Sequence, residues 1–183
     1  DGPIAGPGLD AATVDGIERR VGAALPADLR TLLGVCHGIR GLAWEIDFTG
    51  SLSFEMDAVF PHGLPIVGDH AGNFWVVDLT TAPEAEAAVF YACHDPPVIV
   101  WQCRGVATLL RELRRKFASP ERSSLDDVHD DLVMCVWRTP PASVSSKRSS
   151  SDYCGTWSKV ATDEETRRLL NSSVGSAGFF RIF

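Results

Sequence analysis

LPIVGDHAGNFWVVDLTTAPEAEAAVFYACHDPPVIVWQ, residues 64–102, holds four short runs of aliphatic, β-branched and aromatic residues separated by three breaks. The runs fall at 64–67, 74–79, 88–92 and 98–102, and each reads as a strand. The breaks are GDHAGN (68–73), TTAPEAE (80–86) and HDPP (94–97). Gly68 and Gly72 flank a tight turn where a positive φ is expected, and Asn73 can hydrogen-bond within it. Asp95-Pro96-Pro97 ends one strand and stops ladder pairing until Val98. Strands this short and this evenly spaced predict an antiparallel meander.

Upstream, LAWEIDF (42–48) alternates: Leu42, Trp44, Ile46 and Phe48 point one way, with Glu45 and Asp47 on the solvated side. Ahead of it stand two helices. Asp10 N-caps the first, whose inner stripe is Val14, Ile17, Val21 and then Leu25. Pro26 opens the second, with Leu29, Leu32, Leu33 and Cys36 inside and Gly38 as its stop. Downstream, Val106, Leu109, Leu110, Leu113 and Phe117 mark a strong amphipathic helix, with Arg111, Arg114, Arg115 and Lys116 towards its C-terminal end. Another helix is expected from Ser123 through SLDDVHDDLVMCVW. The fold class is therefore α+β, a mostly antiparallel sheet of about five or six strands with helices packed against it. Leu29, Leu32, Trp44, Trp75, Val77, Val98, Leu109 and Leu113 should form its core.

The chain is expected to divide into an irregular lead-in (1–8), one α+β domain (9–138), a Pro/Ser-rich mobile connection (139–152) and a C-terminal helix and strand packed back on the domain (153–183). The T-x-x-E box of Thr162 and Glu165 and the apolar end Phe179-Phe180-Arg181-Ile182-Phe183 carry the last of these.

Its 183 residues suit one domain, and 45% apolar with 22% charged residues is a globular balance. A net charge of −7 disfavours nucleic acid and anionic membranes and favours a basic protein partner. Five cysteines at irregular spacing, with no C-x-x-C, give neither a disulfide framework nor a zinc site. No apolar run approaches the roughly 20 residues needed to cross a bilayer. The start Asp1-Gly2-Pro3 reads as processing or an imposed boundary, and the expected location is cytoplasmic.

Residues 25–113 resemble the SUKH superfamily, which groups yeast cell-wall-synthesis regulators with bacterial immunity proteins against secreted toxins. The resemblance is carried by LPADLRTLL with its following HG, the Trp-bearing strand, LPIVGDHAGNFWVVDL (64–79), AAVFYACHDPPV (87–98) and the helix ending LLREL. It is strongest with the bacterial branch, continues through SLDDVHDDLVMCVWR (124–138) and covers about half to two-thirds of the chain. It implies helices on a mixed or mostly antiparallel sheet and a non-enzymatic binding role.

Three constellations invite chemistry. Cys93-His94-Asp95 has the residue types of a nucleophile, base and acid, but strand neighbours point to opposite faces, and a buried Cys beside a turn accounts for it. Asp126, His129 and Asp130 could share a helix face as metal ligands, yet acidic residues early in a helix are explained by its dipole. GDHAGN lacks the Lys-Ser/Thr of a phosphate loop and leads into a strand. No catalytic residue, metal or cofactor is expected.

Acidic residues on outer strand positions and adjoining turns remain as a candidate binding surface: Glu45, Asp47, Glu55, Asp57, Asp69, Asp78, Glu84, Glu86 and Asp95. Singly, each is an ordinary solvated residue; together they would offer a negative patch to a basic protein. The expected function is immunity: direct binding of a cognate toxin, such as a nuclease or deaminase. The alternatives are a regulatory scaffold and, third, an enzyme.

Overall fold

The computed structural model describes residues 2–52, 60, 62–95, 98–119, 123–127, 133, 145–148 and 156–159. The fold is α+β. Strands β1 (Ile4–Ala5), β2 (Gly38–Arg40), β3 (Glu45–Asp47), β4 (Gly63–Gly68), β5 (Phe74–Asp78), β6 (Ala88–Cys93) and β7 (Val98–Arg104) pair in sequence order, each antiparallel to the next. Helices α1 (Ala11–Val21) and α2 (Ala27–Leu33) fall between β1 and β2. Helix α3 (Val106–Ala118) and the single turn α4 (Ser124–Asp127) follow β7. Two further strands extend the sheet: β9 (Thr156–Lys159) lies parallel to β7, and β8 (Ser145–Arg148) antiparallel to β9.

The sheet thus has more strands than the five or six expected. Strands β1 and β2 are two and three residues long, too short to display a period of two, and β8 lies in the Ser-rich stretch read as a connection. Gly38 does not stop α2. That helix ends at Leu33, and Gly38 pairs with Asp47 in β2, where a Cβ would sit 2.7 Å from the Ile46 carbonyl oxygen. The helix and strand expected at 162–170 and 179–183 lie outside the described residues.

Local chemistry fixes the helix ends. The Thr13 N–H donates to Asp10 Oδ1 at 2.8 Å, and Gly22 closes α1 in the left-handed region at φ 70°. Val14 and Ile17 on α1, Leu29 and Leu33 on α2, and Leu109 and Leu113 on α3 are buried against one face of the sheet. There they meet Trp75, Val77, Val89, Tyr91, Val98 and Val100, with Leu32 and Trp44 partly buried at the margin.

The opposite face is buried as well. Val76, Phe90, Ala92 and Ile99 form a second apolar cluster, with Phe60 edge-on to Phe90 at 5.4 Å. Strand β3 keeps the half-solvated pattern, with Glu45 exposed and Ile46 buried. In the 68–73 loop the positive φ falls on Gly72 (88°) and on His70 (63°), not on Gly68, which stays in β4.

Candidate functional site

Strand register places the acidic residues along the sheet. Glu45 pairs with Gly68 and Phe74 with Ala92, so Glu45, Asp69 and Asp95 share one end. Asp78 pairs with Gly63 and Ala88, which places it at the other end, with Glu84 and Glu86 in the connection leading to β6; Asp47 sits between the two ends, two residues along β3 from Glu45. The seven described members are therefore spread along the strands and are not gathered at one end of the sheet. Glu55 and Asp57 lie outside the described residues.

Three of the seven hold turns. Asp47 accepts from the Thr49 N–H (2.7 Å), Thr49 Oγ1 (2.6 Å) and Ser51 Oγ (2.6 Å). Asp69 accepts from the Ala71 and Asn73 N–H groups and from Asn73 Nδ2, filling the loop that superficially suggests a phosphate cradle. Asp78 accepts from the Thr80 N–H (2.9 Å) and Thr80 Oγ1 (2.7 Å). At 7% exposure it is not the outer residue expected, because its face of β5 is covered. Glu45, Glu84, Glu86 and Asp95 are exposed.

Burial pushes the Asp47 carboxyl up, but its hydrogen bonds from Ser51 and Thr49, with the charge of His37, outweigh that and hold it below the usual carboxylate range. A depressed folded-state value stabilises the fold above the unfolded carboxylate's pKa, about 4, and that contribution is lost as pH falls through the folded value. Asp47→Asn should therefore cost about 1 kcal/mol at pH 7 and less at pH 2. Thermal unfolding of both proteins at the two pH values measures this; an equal cost at both would show that the charge is irrelevant.

Cys93 donates to the Asp95 carbonyl oxygen at 3.4 Å, and burial pushes its thiol up, away from a thiolate. His94 is exposed, and its backbone N–H donates to Asn73 Oδ1 at 2.8 Å. Asp126 pairs with Lys116 and accepts from Ser123 N and Oγ, both at 2.9 Å; His129 and Asp130 lie outside the described residues. Among the described residues no group of three or more His, Cys, Asp or Glu side chains is placed to hold a metal. A recess of about 150 Å³ beside Trp44, Trp75 and Tyr91 is bordered by the Lys116–Asp126 pair.

The feature with the form of a docking site is an open, mainly apolar groove of about 500 Å³ between α2 and α3. One wall is Ala27, Thr31 and Val35, four residues apart; the other is Val106, Ala107 and Leu110. Thr31 Oγ1 donates to the Ala27 carbonyl, so its hydroxyl is satisfied within the helix. Val35 is 73% exposed. Glu84 and Glu86 are in the lining, and Glu86 lies beside Gly105 at the start of α3.

The walls are held together by Asp28, itself part of the lining. Its Oδ1 accepts from the N–H groups of Leu29 and Ala87, both at 3.0 Å, and its Oδ2 from that of Val106 at 2.7 Å. The groove is not legible from the inner-face pattern, because Ala27 and Thr31 belong to the other side of α2 and Val35 lies in the turn just past its end. The signal available is Val35, an apolar residue out of phase with Leu29, Leu32 and Leu33.

Among the described residues no helix is long and apolar enough to cross a membrane. No protein-family model matches the chain, and neither a curated protein nor a solved structure matches it.

Proposed function

We propose that this chain is a SUKH-type immunity protein, a cytoplasmic, non-enzymatic binder that neutralises a cognate secreted toxin by direct contact. The observation that carries the binding role is the α2–α3 groove, where Val35 stands in solvent above an apolar cleft bordered by Glu84 and Glu86. Apolar clefts with polar rims characterise protein-interaction sites. The −7 charge favours a basic partner, such as a nuclease or deaminase domain, and the resemblance of residues 25–113 supplies the toxin-immunity role.

The test is co-purification with the product of the adjacent gene, followed by binding kinetics. Association should be electrostatically steered, so its rate should fall as salt rises. Glu84→Gln with Glu86→Gln should slow association at low salt several-fold while leaving the fold intact, since both side chains are exposed. A salt-independent on-rate would remove electrostatic steering, and failure to bind the adjacent gene's product would remove the toxin-immunity function.

A further inference from the structure

The groove carries charge within its lining and beyond it. Glu86 stands where α3 begins, its carboxylate about 3.5 Å from a Cβ placed on the N-cap Gly105, while the next residue, Ala87, donates to Asp28 in the first turn of α2; Glu84 lines the groove two residues earlier. On α3 the lining residues Ala107 and Leu110 are each followed four residues later by an arginine, Arg111 and Arg114, both exposed. At 100° per residue, a step of four keeps them on the same flank of the helix. The lining thus has carboxylates and an apolar middle, and past Leu110 the same flank of α3 continues, outside the lining itself, to Arg111, which donates to Thr108 Oγ1 at 2.9 Å, and to Arg114.

Asp28 does not blur this pattern, because its carboxylate is committed to three backbone N–H groups. The site lies between two helices, where backbone hydrogen bonds are already made, so a partner cannot add a strand there and must insert side chains. Recognition then follows the helix-in-groove mode, with apolar anchors at i, i+3 or i+4, and i+7.

We infer that the groove takes an amphipathic helix whose apolar ridge is flanked by Lys or Arg at one end and by Asp or Glu at the other, the basic end meeting Glu84 and Glu86 and the acidic end meeting Arg111 and Arg114. This rests on the protein-binding function proposed above and names the part of the partner that the groove holds. Each rim charge is worth little alone, so charge matching selects among helices whose anchoring comes from the apolar ridge.

The probe is a fluorescent synthetic helix of about four turns with Glu in its first turn, a Leu ridge and Lys in its last, read by anisotropy against the full chain. A second peptide carries Glu at both ends, and a third has the ridge residues scrambled. The first should bind, the second about tenfold more weakly and the third not at all. Val35→Glu should abolish binding of the first peptide; its exposed position keeps the fold, which circular dichroism verifies. Glu84→Lys with Glu86→Lys should weaken the first peptide about tenfold and remove its advantage over the second.

Equal binding of all three peptides, no binding of the first, or full binding by Val35→Glu would each overturn the assignment. The toxin-immunity function is separable. If the adjacent gene's product binds the parent and Val35→Glu alike, the groove assignment fails and immunity stands. If the peptide binds as expected while that product does not, immunity fails and the groove assignment stands.

Discussion

Asp28→Ala is expected to cost about 3–5 kcal/mol of stability, more than any other single surface carboxylate in the described fold. The residue ties together pieces of chain far apart in sequence. Ala87 lies 59 positions away and Val106 lies 78 away, and the two are 0% and 1% exposed. Val106 opens α3, where the first N–H groups have no partner inside the helix, and its N-cap, Gly105, has no side chain to provide one. Asp28 supplies that cap from another helix. Removing it leaves two buried donors without their carboxylate, each costing about 1–3 kcal/mol.

Asp28→Asn keeps one acceptor oxygen but turns a donor towards an N–H, so roughly half the loss should remain. Asp15→Ala, which breaks an exposed pair with Arg30 at 3.4 Å, should cost under about 0.5 kcal/mol and serves as the control. Urea unfolding measures all three, with a shifted midpoint at constant slope as the expected form. A loss below about 1 kcal/mol for Asp28→Ala would show that water replaces the carboxylate. Because Asp28 fixes α3 against α2, the same variant should also weaken peptide capture by the groove.

The sequence makes some of this legible and hides the rest for physical reasons. Helix phases are plain because Val14 and Ile17, or Leu109 and Leu113, repeat at the spacing that burial on one face requires. The runs at 64–102 declare the central strands, and Gly72 and Asn73 mark the turn between two of them.

The second buried face is written as the continuous runs VFYAC and VIV, which two-sided burial produces, whereas the alternation of LAWEIDF marks a solvated side in that strand alone. Asp47-Phe48-Thr49 and Asp78-Leu79-Thr80 share an Asp-x-Thr pattern that predicts self-capped turns, so two members of the acidic group were open to that local reading. The Asp28 clasp leaves no such trace. A first-turn acid looks ordinary in any helix, and its distant partners are backbone groups, which no side-chain pattern records. The groove is hidden likewise, since it exists only once α2 and α3 are docked.

Trp75→Ala should cost about 3–5 kcal/mol, and it tests the assignment of the two faces of β5. Trp75 is 2% exposed and lies between two other rings: Trp44 stacked at 4.6 Å and Tyr91 tilted at 4.8 Å. Its Nε1–H donates to Gln102 Oε1 at 3.2 Å, a buried acceptor on β7. Truncation removes the ring contacts and leaves that acceptor unmatched, so transfer, cavity and hydrogen-bond losses act together.

Trp75→Phe separates the contributions. It restores much of the ring but not the donor, and its cost should fall to about 1–3 kcal/mol. Trp44→Ala should cost less than Trp75→Ala, because Trp44 is only partly buried, packed on Trp75 and edge-on to Phe117 at 5.2 Å. Denaturant midpoints give the ranking, and near-ultraviolet circular dichroism should lose the stacked-indole signal in both alanine variants. If Trp44→Ala proved costlier than Trp75→Ala, the register that faces Trp75 towards the helices would be wrong. A one-residue slip of β5 would then exchange its two faces, bringing Val76 to the helices and Trp75 to the Phe60–Phe90 side.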